Sequence, residues 1–536
     1  MANKERNAEY KPLLYTTTVR NPERIKYNLF VLKKFENQIL TNELATSVVG
    51  ELIKYGLYRP MKVSANVKSI WKQTSGGELA VSLLDDKTVS KIIEDNPQKH
   101  KEAGFDWGYP SRFATIFDLA KEFGFVYFKT GEKIEFSELG NILVDIVDVE
   151  IGGNNEISLN LKNPEREQSV FLQSLARSQR ANPFVKVLND NIPLLLLLQT
   201  IRLINSDPDC GNGVGISRKE IPLLLFWKDN NASELYLLIK ELRKKYGYTP
   251  SDEAIIDICI NEIMEGQYKK FDPRSIMNDY VDEFIRKMRM SGLISLRGAG
   301  RFIDINHNED KKVEYILNNY SDYERITNEH KYFEYMSKID ENLIAQKAEV
   351  ISDEKTNDLL SEWLKTYDWT SIKNELHILA TRKTSKDDVL KFLAAPVRLE
   401  FLTALAIKLK LPTVIVKPNY SCDDTGLPTS TAGGNKGDIE CFEKGNGILV
   451  EVTMAEGRTQ TMMEVWPIER HLAAFIEENN IPAQCVFIAP TIYSDSKRQI
   501  EFVKFSNKLT IRDYAIDDWT AYLEKEKKLF IGENCV

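Results

Sequence analysis

The stretch that most constrains this chain is Gly437-Asp-Ile-Glu-Cys-Phe-Glu-Lys-Gly-Asn-Gly-Ile-Leu-Val-Glu-Val-Thr. Its turn falls at Glu443–Asn446, which predicts two paired strands with Asp438 roughly opposite Glu451. Side chains alternate along a strand, so Glu451 and Thr453 share a face. Two carboxylates facing each other across a hairpin repel, and the pair destabilises the strands unless a cation lies between them. Hard divalent ions such as Mg²⁺ take oxygen ligands of this kind and keep several waters. The backbone carbonyl of Val452, at the same strand end, is a further candidate ligand. Exposed acids on an ordinary hairpin would give the same pattern, and the spacing alone leaves both readings open.

Asp438, twelve residues, then Glu451-Xaa-Thr453 is a variant of the D-x(n)-(D/E)-x-K signature of metal-dependent nucleases. A lysine normally positions or deprotonates the attacking water. A threonine hydroxyl cannot replace an ammonium, so another group must assist. Gln460, Glu464 and His471 follow at spacings of four and seven, which predicts one face of a helix. Pro467 is expected to kink that helix. Glu464 as a solvated helix residue and His471 as a surface histidine are the plainer alternatives.

The 536 residues allow several domains, and 43% hydrophobic with 28% charged residues fits a globular chain with a real core. A net charge of −8 argues against coating nucleic acid by bulk positive charge, though not against local basic clusters. Cys210, Cys259, Cys422, Cys441, Cys485 and Cys535 are scattered without zinc spacing, as in a reduced, cytoplasmic setting. Met1-Ala-Asn-Lys-Glu-Arg lacks the apolar core of a signal peptide. The greasiest run, Ile192 to Ile204, is too short to span a bilayer and predicts a buried helix, with no membrane role. No GxxxxGK[ST] loop occurs. Asn182-Pro-Phe-Val lacks the second proline of an amino-methyltransferase motif.

The expected fold class is multidomain α+β. Two segments share a pattern of helix, glycine stop and hairpin with a basic return strand. The first runs from Ser111 to Asp145, with strands Phe125–Lys129 and Lys133–Phe136; the second runs from about Tyr280 to Asn306, with Leu293–Arg297 and Arg301–Ile305. This is the outline of a winged helix, in which a helix enters the major groove and the hairpin touches phosphates or the minor groove. A helix packed on a solvated hairpin is the plainer alternative for either copy. Candidate DNA contacts are Arg112, Lys129 and Lys133 in the first and Arg286, Lys287, Arg289, Arg297 and Arg301 in the second. The expected domains are recognition subdomains at 1–160 and 161–306, a charged helical linker at 307–384, and an α/β domain at 385–536. In the last, a helix over Ser385–Leu409, a loop Ser421–Gly437 and a helical region Arg458–Glu478 accompany strands at Thr413–Lys417, Asp438–Phe442, Ile448–Thr453 and Gln484–Ala489.

The runs Ser430-Thr-Ala-Gly-Gly-Asn-Lys-Gly-Asp-Ile-Glu, Val450-Glu-Val-Thr, Thr459-Gln-Thr-Met-Met-Glu, Glu469-Arg-His and Val486-Phe-Ile-Ala-Pro resemble the cleavage domain of AlwI-type type IIS restriction and nicking endonucleases. The resemblance implies a PD-(D/E)XK nuclease fold and Mg²⁺ as cofactor. It implies Glu400, Asp438 and Glu451 at the metal, with Glu464 and His471 as further catalytic residues. Glu-Val-Thr in place of Glu-Xaa-Lys is itself a mark of that family. The implied partners are double-stranded DNA, a transient homodimer or partner cleavage subunit, and a cognate DNA methyltransferase in the same host. The competing expectation is a non-catalytic winged-helix regulator with a structural C-terminal domain.

Overall fold

Two helices stop where a glycine takes a left-handed backbone, Gly124 at φ +74° and Gly292 at φ +76°. Residues with a Cβ adopt such angles only under strain. Each glycine releases the chain into a short hairpin, and these two junctions set the plan of the N-terminal part. The structure is a computed structural model that describes residues 9–13, 22, 24–72, 82–153, 155–161, 163–185, 187–210, 213–266, 272–349, 352–433 and 436–531. They divide into two units. One comprises Met1–Ser64, Leu84–Val147 and Arg166–Glu349; the other comprises Ala65–Leu83, Asp148–Glu165 and Val350–Val536. The stretch 307–384, read from sequence as one linker, is thus divided at Glu349.

In the first unit helix Tyr109–Glu122 leads through Gly124 to strands Val126–Tyr127 and Glu135–Phe136, which pair antiparallel. Residues 38–40 run along the return strand, with Leu40 N donating to Glu132 O at 2.8 Å and Ile134 N to Gln38 O at 3.0 Å. Helix Val281–Arg289 leads through Gly292 to strands Ile294–Arg297 and Phe302–Ile305, and here Ile216–Ser217 pairs with the return strand. A helix precedes each added segment, Arg24–Lys33 in one case and Pro193–Ser206 in the other. Both copies therefore share one order and one pairing. The apolar run Ile192–Ile204 is a buried helix opened by Pro193, as expected. Among the described residues no helix is long and apolar enough to cross a membrane, and the five described cysteines are free.

The second unit is built on a five-stranded mixed sheet in the order Ile511–Ala515, Ala483–Ala489, Asn446–Val452, Ile439–Glu443, Ile415–Pro418. Ala483–Ala489 runs parallel to both of its neighbours, and Ile439–Glu443 antiparallel to both of its own. Residues Gly447 to Glu451 are all buried, as expected of a central strand covered on both faces. Helix Trp466–Asn479 and helix Ser494–Asn507 cover one face through Ile468, Leu472, Phe475, Ile500 and Val503, which pack on Leu449, Cys485 and Phe487. Helix Ala395–Lys410 is apolar nearly all round and buried from Arg398 to Ile407, the mark of a core helix.

Several boundaries differ from expectation for local reasons. The helix expected over Ser385–Leu409 begins at Ala395, because Pro396 suits only the first turn. The expected loop Ser421–Gly437 contains a hairpin, Tyr420–Cys422 with Pro428–Ala432. Asp423 closes it, its Oδ1 accepting from Thr425 N at 2.9 Å and Leu427 N at 3.1 Å. The expected helix over Arg458–Glu478 is interrupted by a π-helical turn at Thr461–Val465, just before Pro467, which has no N–H to continue the ladder.

A methyl group on Gly124 would lie 2.4 Å from Met336 Cβ. Gly124→Ala should therefore destabilise the first unit by about 2 kcal/mol or more, from backbone strain plus that clash. Denaturant titration followed by circular dichroism measures it, and a midpoint equal to wild type would contradict this account of the junction.

Candidate active site

The Glu443–Asn446 turn is closed by Lys444 at φ 50° and Gly445 at φ 81°, the two left-handed residues that a tight hairpin requires. It sets the register Ile439↔Val450, which carried one step further puts Asp438 opposite Glu451. The expected opposition is the observed one. Asp438 Oδ2 accepts from the Val452 amide at 2.7 Å, and this bond ties the first acid to the strand carrying the second. Gly437 is the residue that permits the approach. A Cβ there would lie 2.3 Å from Leu449 Cδ1 and 3.0 Å from Glu451 Oε1.

Glu451 lies on the same face as Leu449, toward helix Trp466–Asn479. From that helix His471 Nδ1 meets Glu451 Oε1 at 3.0 Å. Thr453, where the commoner signature has lysine, donates its hydroxyl to Glu464 Oε1 at 2.8 Å and accepts from Ala455 N at 2.9 Å. Glu400 comes from the buried helix, and its Oε2 accepts from Ala432 N at 3.1 Å. The hairpin that the sequence reading took for loop thus holds the third acid. Gln460 departs from the expected face. It is fully buried and bonds Ala455 O, Thr491 O and Tyr493 N, fastening two loops together.

Burial pushes all four carboxyls above the ordinary range. For Glu400 and Asp438 desolvation acts first, followed by the neighbouring charge of Asp438 and Glu451 respectively. Glu451 is raised by desolvation and then by Glu464. Glu464 is raised by desolvation, against which the Thr453 hydroxyl and His471 act. Among the described residues no group of three or more His, Cys, Asp or Glu side chains forms a complete ion cage. What is present is a facing pair of carboxylates at a strand end. That donor set suits a hard ion that takes one or two carboxylates and keeps its waters.

The basic candidates for DNA contact separate by exposure. Lys287 is a correction: its side chain is fully buried, with Nζ 2.6 Å from Glu283 Oε2, so it offers nothing to a duplex. Arg297 is half-buried and binds Asp304 Oδ2 at 2.6 Å and Ile305 O at 3.0 Å, stitching its own hairpin. Arg289 bonds Ile294 O at 3.4 Å, and Arg286 is half-buried on the same helix. Arg112 is half-buried against Gln98 and the Tyr58 ring. Lys129, Lys133 and Arg301 are exposed. Lys129 lies 3.4 Å from both Glu132 and Glu329, Lys133 stands opposite Ile39, and Arg301 bonds Gly298 O across its turn.

Raised carboxyl groups bind protons more readily folded than unfolded. Their contribution favours the fold below the ordinary carboxylate range near about 4 and is lost as pH rises through the raised values. Metal-free protein should therefore lose stability from that range toward neutral pH, and Asp438→Asn should flatten the loss. Thermal melts in chelator at several pH values compare the two, and parallel curves would contradict a destabilising acid cluster.

The chain also has relatives. A family model described as AlwI restriction endonuclease matches residues 121–393 and 351–516. Among solved structures, the small subunit R.BspD6I2 of the heterodimeric restriction endonuclease R.BspD6I is 22% identical, over 29% of this chain and 77% of that one, with a TM-score of 0.25. Restriction endonuclease FokI is 10% identical over 98% of this chain and 97% of that one, with a TM-score of 0.24. FokI bound to DNA is 9% identical over the same shares, with a TM-score of 0.22. No curated protein sequence matches. The family model spans most of the chain, in two overlapping parts that together include every acid of the site, and the chain belongs to the AlwI restriction endonuclease family.

Proposed function

We propose that the chain is a Mg²⁺-dependent, type IIS-like site-specific DNA endonuclease, reading duplex DNA with its first unit and hydrolysing phosphodiester bonds with its second. The observation that carries this reading is the facing pair Asp438 and Glu451, clamped by the Val452 amide and by His471. Nothing in the packing of a purely structural sheet calls for two buried carboxylates at that point. With Asp438, Glu451, Glu400 and the Val452 carbonyl as the proposed ligand set, bound Mg²⁺ would offset phosphate charge and acidify a water.

The chain's own groups supply the rest. Thr453 fixes one oxygen of Glu464, leaving the other for a water or a proton. His471 lies against Glu451 and within the field of Glu464. It can carry the positive charge or the proton that a lysine carries in the commoner signature. Ala432 fixes one oxygen of Glu400 in the same way. The competing regulator has no use for this arrangement, and plasmid DNA cut in Mg²⁺ but spared in EDTA separates the two.

For reading, both helix–hairpin segments have the winged-helix order, including the short strand that joins the return strand of the hairpin. Arg301, Lys129 and Lys133, together with the half-buried Arg112, Arg286 and Arg289, are the proposed contacts. One cleavage site attacks one strand, so the proposed product of a monomer is a nick outside an asymmetric site. A double-strand break then needs a second copy or a partner cleavage subunit, and a cognate methyltransferase would protect the host.

Asp438→Ala and Glu451→Ala should each abolish cleavage in Mg²⁺ while specific DNA binding stays within a few-fold of wild type. Plasmid assays and gel shifts read the two properties, and near wild-type cutting by either variant would remove the site assignment. From supercoiled plasmid, nicked circles should precede linear DNA, with the second step faster at higher protein concentration. Linear product that appears first, at a rate independent of concentration, would contradict single-strand attack by a monomer.

A further inference from the structure

We infer that Lys244, Lys245 and Tyr246, at the exposed end of helix Ala232–Tyr246, form with Arg301 a docking surface for the phosphate backbone of duplex DNA. The inference rests on the DNA-endonuclease reading and extends it to residues outside both helix–hairpin segments.

The surface is held rigidly from beneath. Arg243, buried just before the two lysines, donates to both oxygens of Glu220 at 2.7 Å and to Gly215 O at 2.6 Å. Its guanidinium also bonds Cys210 O. This bidentate pair fixes the helix end to the chain entering strand Ile216–Ser217. Beyond the helix Tyr248 lies over the same guanidinium, with 5.0 Å from ring centroid to Cζ. Its hydroxyl donates to Cys210 O at 3.3 Å, and its ring meets Phe302 edge-on at 5.1 Å between centroids. Phe302 follows Arg301 in the return strand, so the helix end and the basic turn of the hairpin are neighbours.

What faces outward is basic and aromatic. Lys244, Lys245 and Arg301 are exposed, and Tyr246 and Tyr248 remain 37% and 36% exposed. Lys245 Nζ lies 4.8 Å from the Tyr246 ring centroid. Among the described residues no carboxylate forms an ion pair with Lys244, Lys245 or Arg301, although Glu262 acts on Lys245 at longer range. Lys240, one turn earlier, is by contrast held by Asp207 at 2.6 Å, and Lys219 by Asp252 at 2.5 Å. Basic residues in a last turn also complement the helix dipole. That accounts for the lysines but not for two tyrosines left partly bare beside an exposed arginine. Lysine, arginine and tyrosine hydroxyl are the donors that phosphate oxygens take, and in a chain of net charge −8 such contacts must come from local patches.

The test uses the full chain, a short fluorescent duplex of random sequence and anisotropy titrations over a range of NaCl in EDTA. Lys244→Ala/Lys245→Ala should bind about tenfold more weakly at moderate salt, and its log K against log [salt] slope should fall by roughly 2, near 0.9 per phosphate released. Lys87→Ala/Lys91→Ala, which removes equal charge from exposed positions on another helix, should leave the slope unchanged. Matching thermal melts establish that both variants fold. A wild-type slope in the first variant, or an equal drop in both, overturns the surface alone. A wild-type chain that neither binds the duplex nor cuts plasmid in Mg²⁺ overturns the endonuclease reading, and the surface with it.

Discussion

The repulsion between Asp438 and Glu451 is the constraint around which the second unit is organised. Two acids opposite each other are a liability in any hairpin, and here the strands are also buried on both faces. The fold answers with directed donors. The Val452 amide takes one oxygen of Asp438 and His471 takes one of Glu451, while the Ala432 amide takes one of Glu400. Each acid is fixed through one oxygen, so the cluster is oriented without being neutralised. A site arranged this way costs stability in the metal-free chain and is preorganised for a cation.

Replacement of the usual lysine by Thr453 becomes intelligible in the same terms. A lysine would bring its own charge to the strand end. The threonine hydroxyl brings none, and instead orients Glu464, whose charge falls within reach of His471. The basic function moves from the strand to a helix two segments later. That transfer needs the helix placed correctly, and the π-helical turn at Thr461–Val465 lies where the placement is decided. It lets Gln460 turn inward to fasten loops while Glu464 and His471 address the acids.

This division explains which parts were legible in the sequence. The hairpin register follows from two glycines and the alternation of strands, so the pairing of Asp438 with Glu451 could be read directly. The Gly124 and Gly292 stops were legible because backbone conformation is a local property. Long-range partners were not. Nothing near Lys287 in sequence marks it as buried, since a basic residue on an amphipathic helix normally faces water; only Glu283 one turn away hinted at its partner. The hairpin at Tyr420–Ala432 was hidden by a composition rich in Ser, Thr and Gly. Its signal was Asp423 followed by Thr425 and Gly426, a side-chain-capped turn between two short β-prone runs. The role of Ala432 could not be read at all, because a backbone amide has no residue signature.

The same reasoning bears on how basic residues should be weighed in a chain of net negative charge. Arg297 and Lys287 were attractive as DNA contacts on sequence grounds, yet the structure uses them to stitch a hairpin and to satisfy a buried acid. Arg243 is used likewise, but it fixes the ground on which Lys244 and Lys245 stand. Internal use of one cation can thus be what makes its neighbours available. A basic side chain already committed to a carboxylate must break that pair to reach phosphate, and it gains correspondingly little. An uncommitted one on a rigid base gives up only solvent and counterions. Counting lysines and arginines therefore says less about nucleic-acid contact than asking which of them the fold has left unpaired, and on what support.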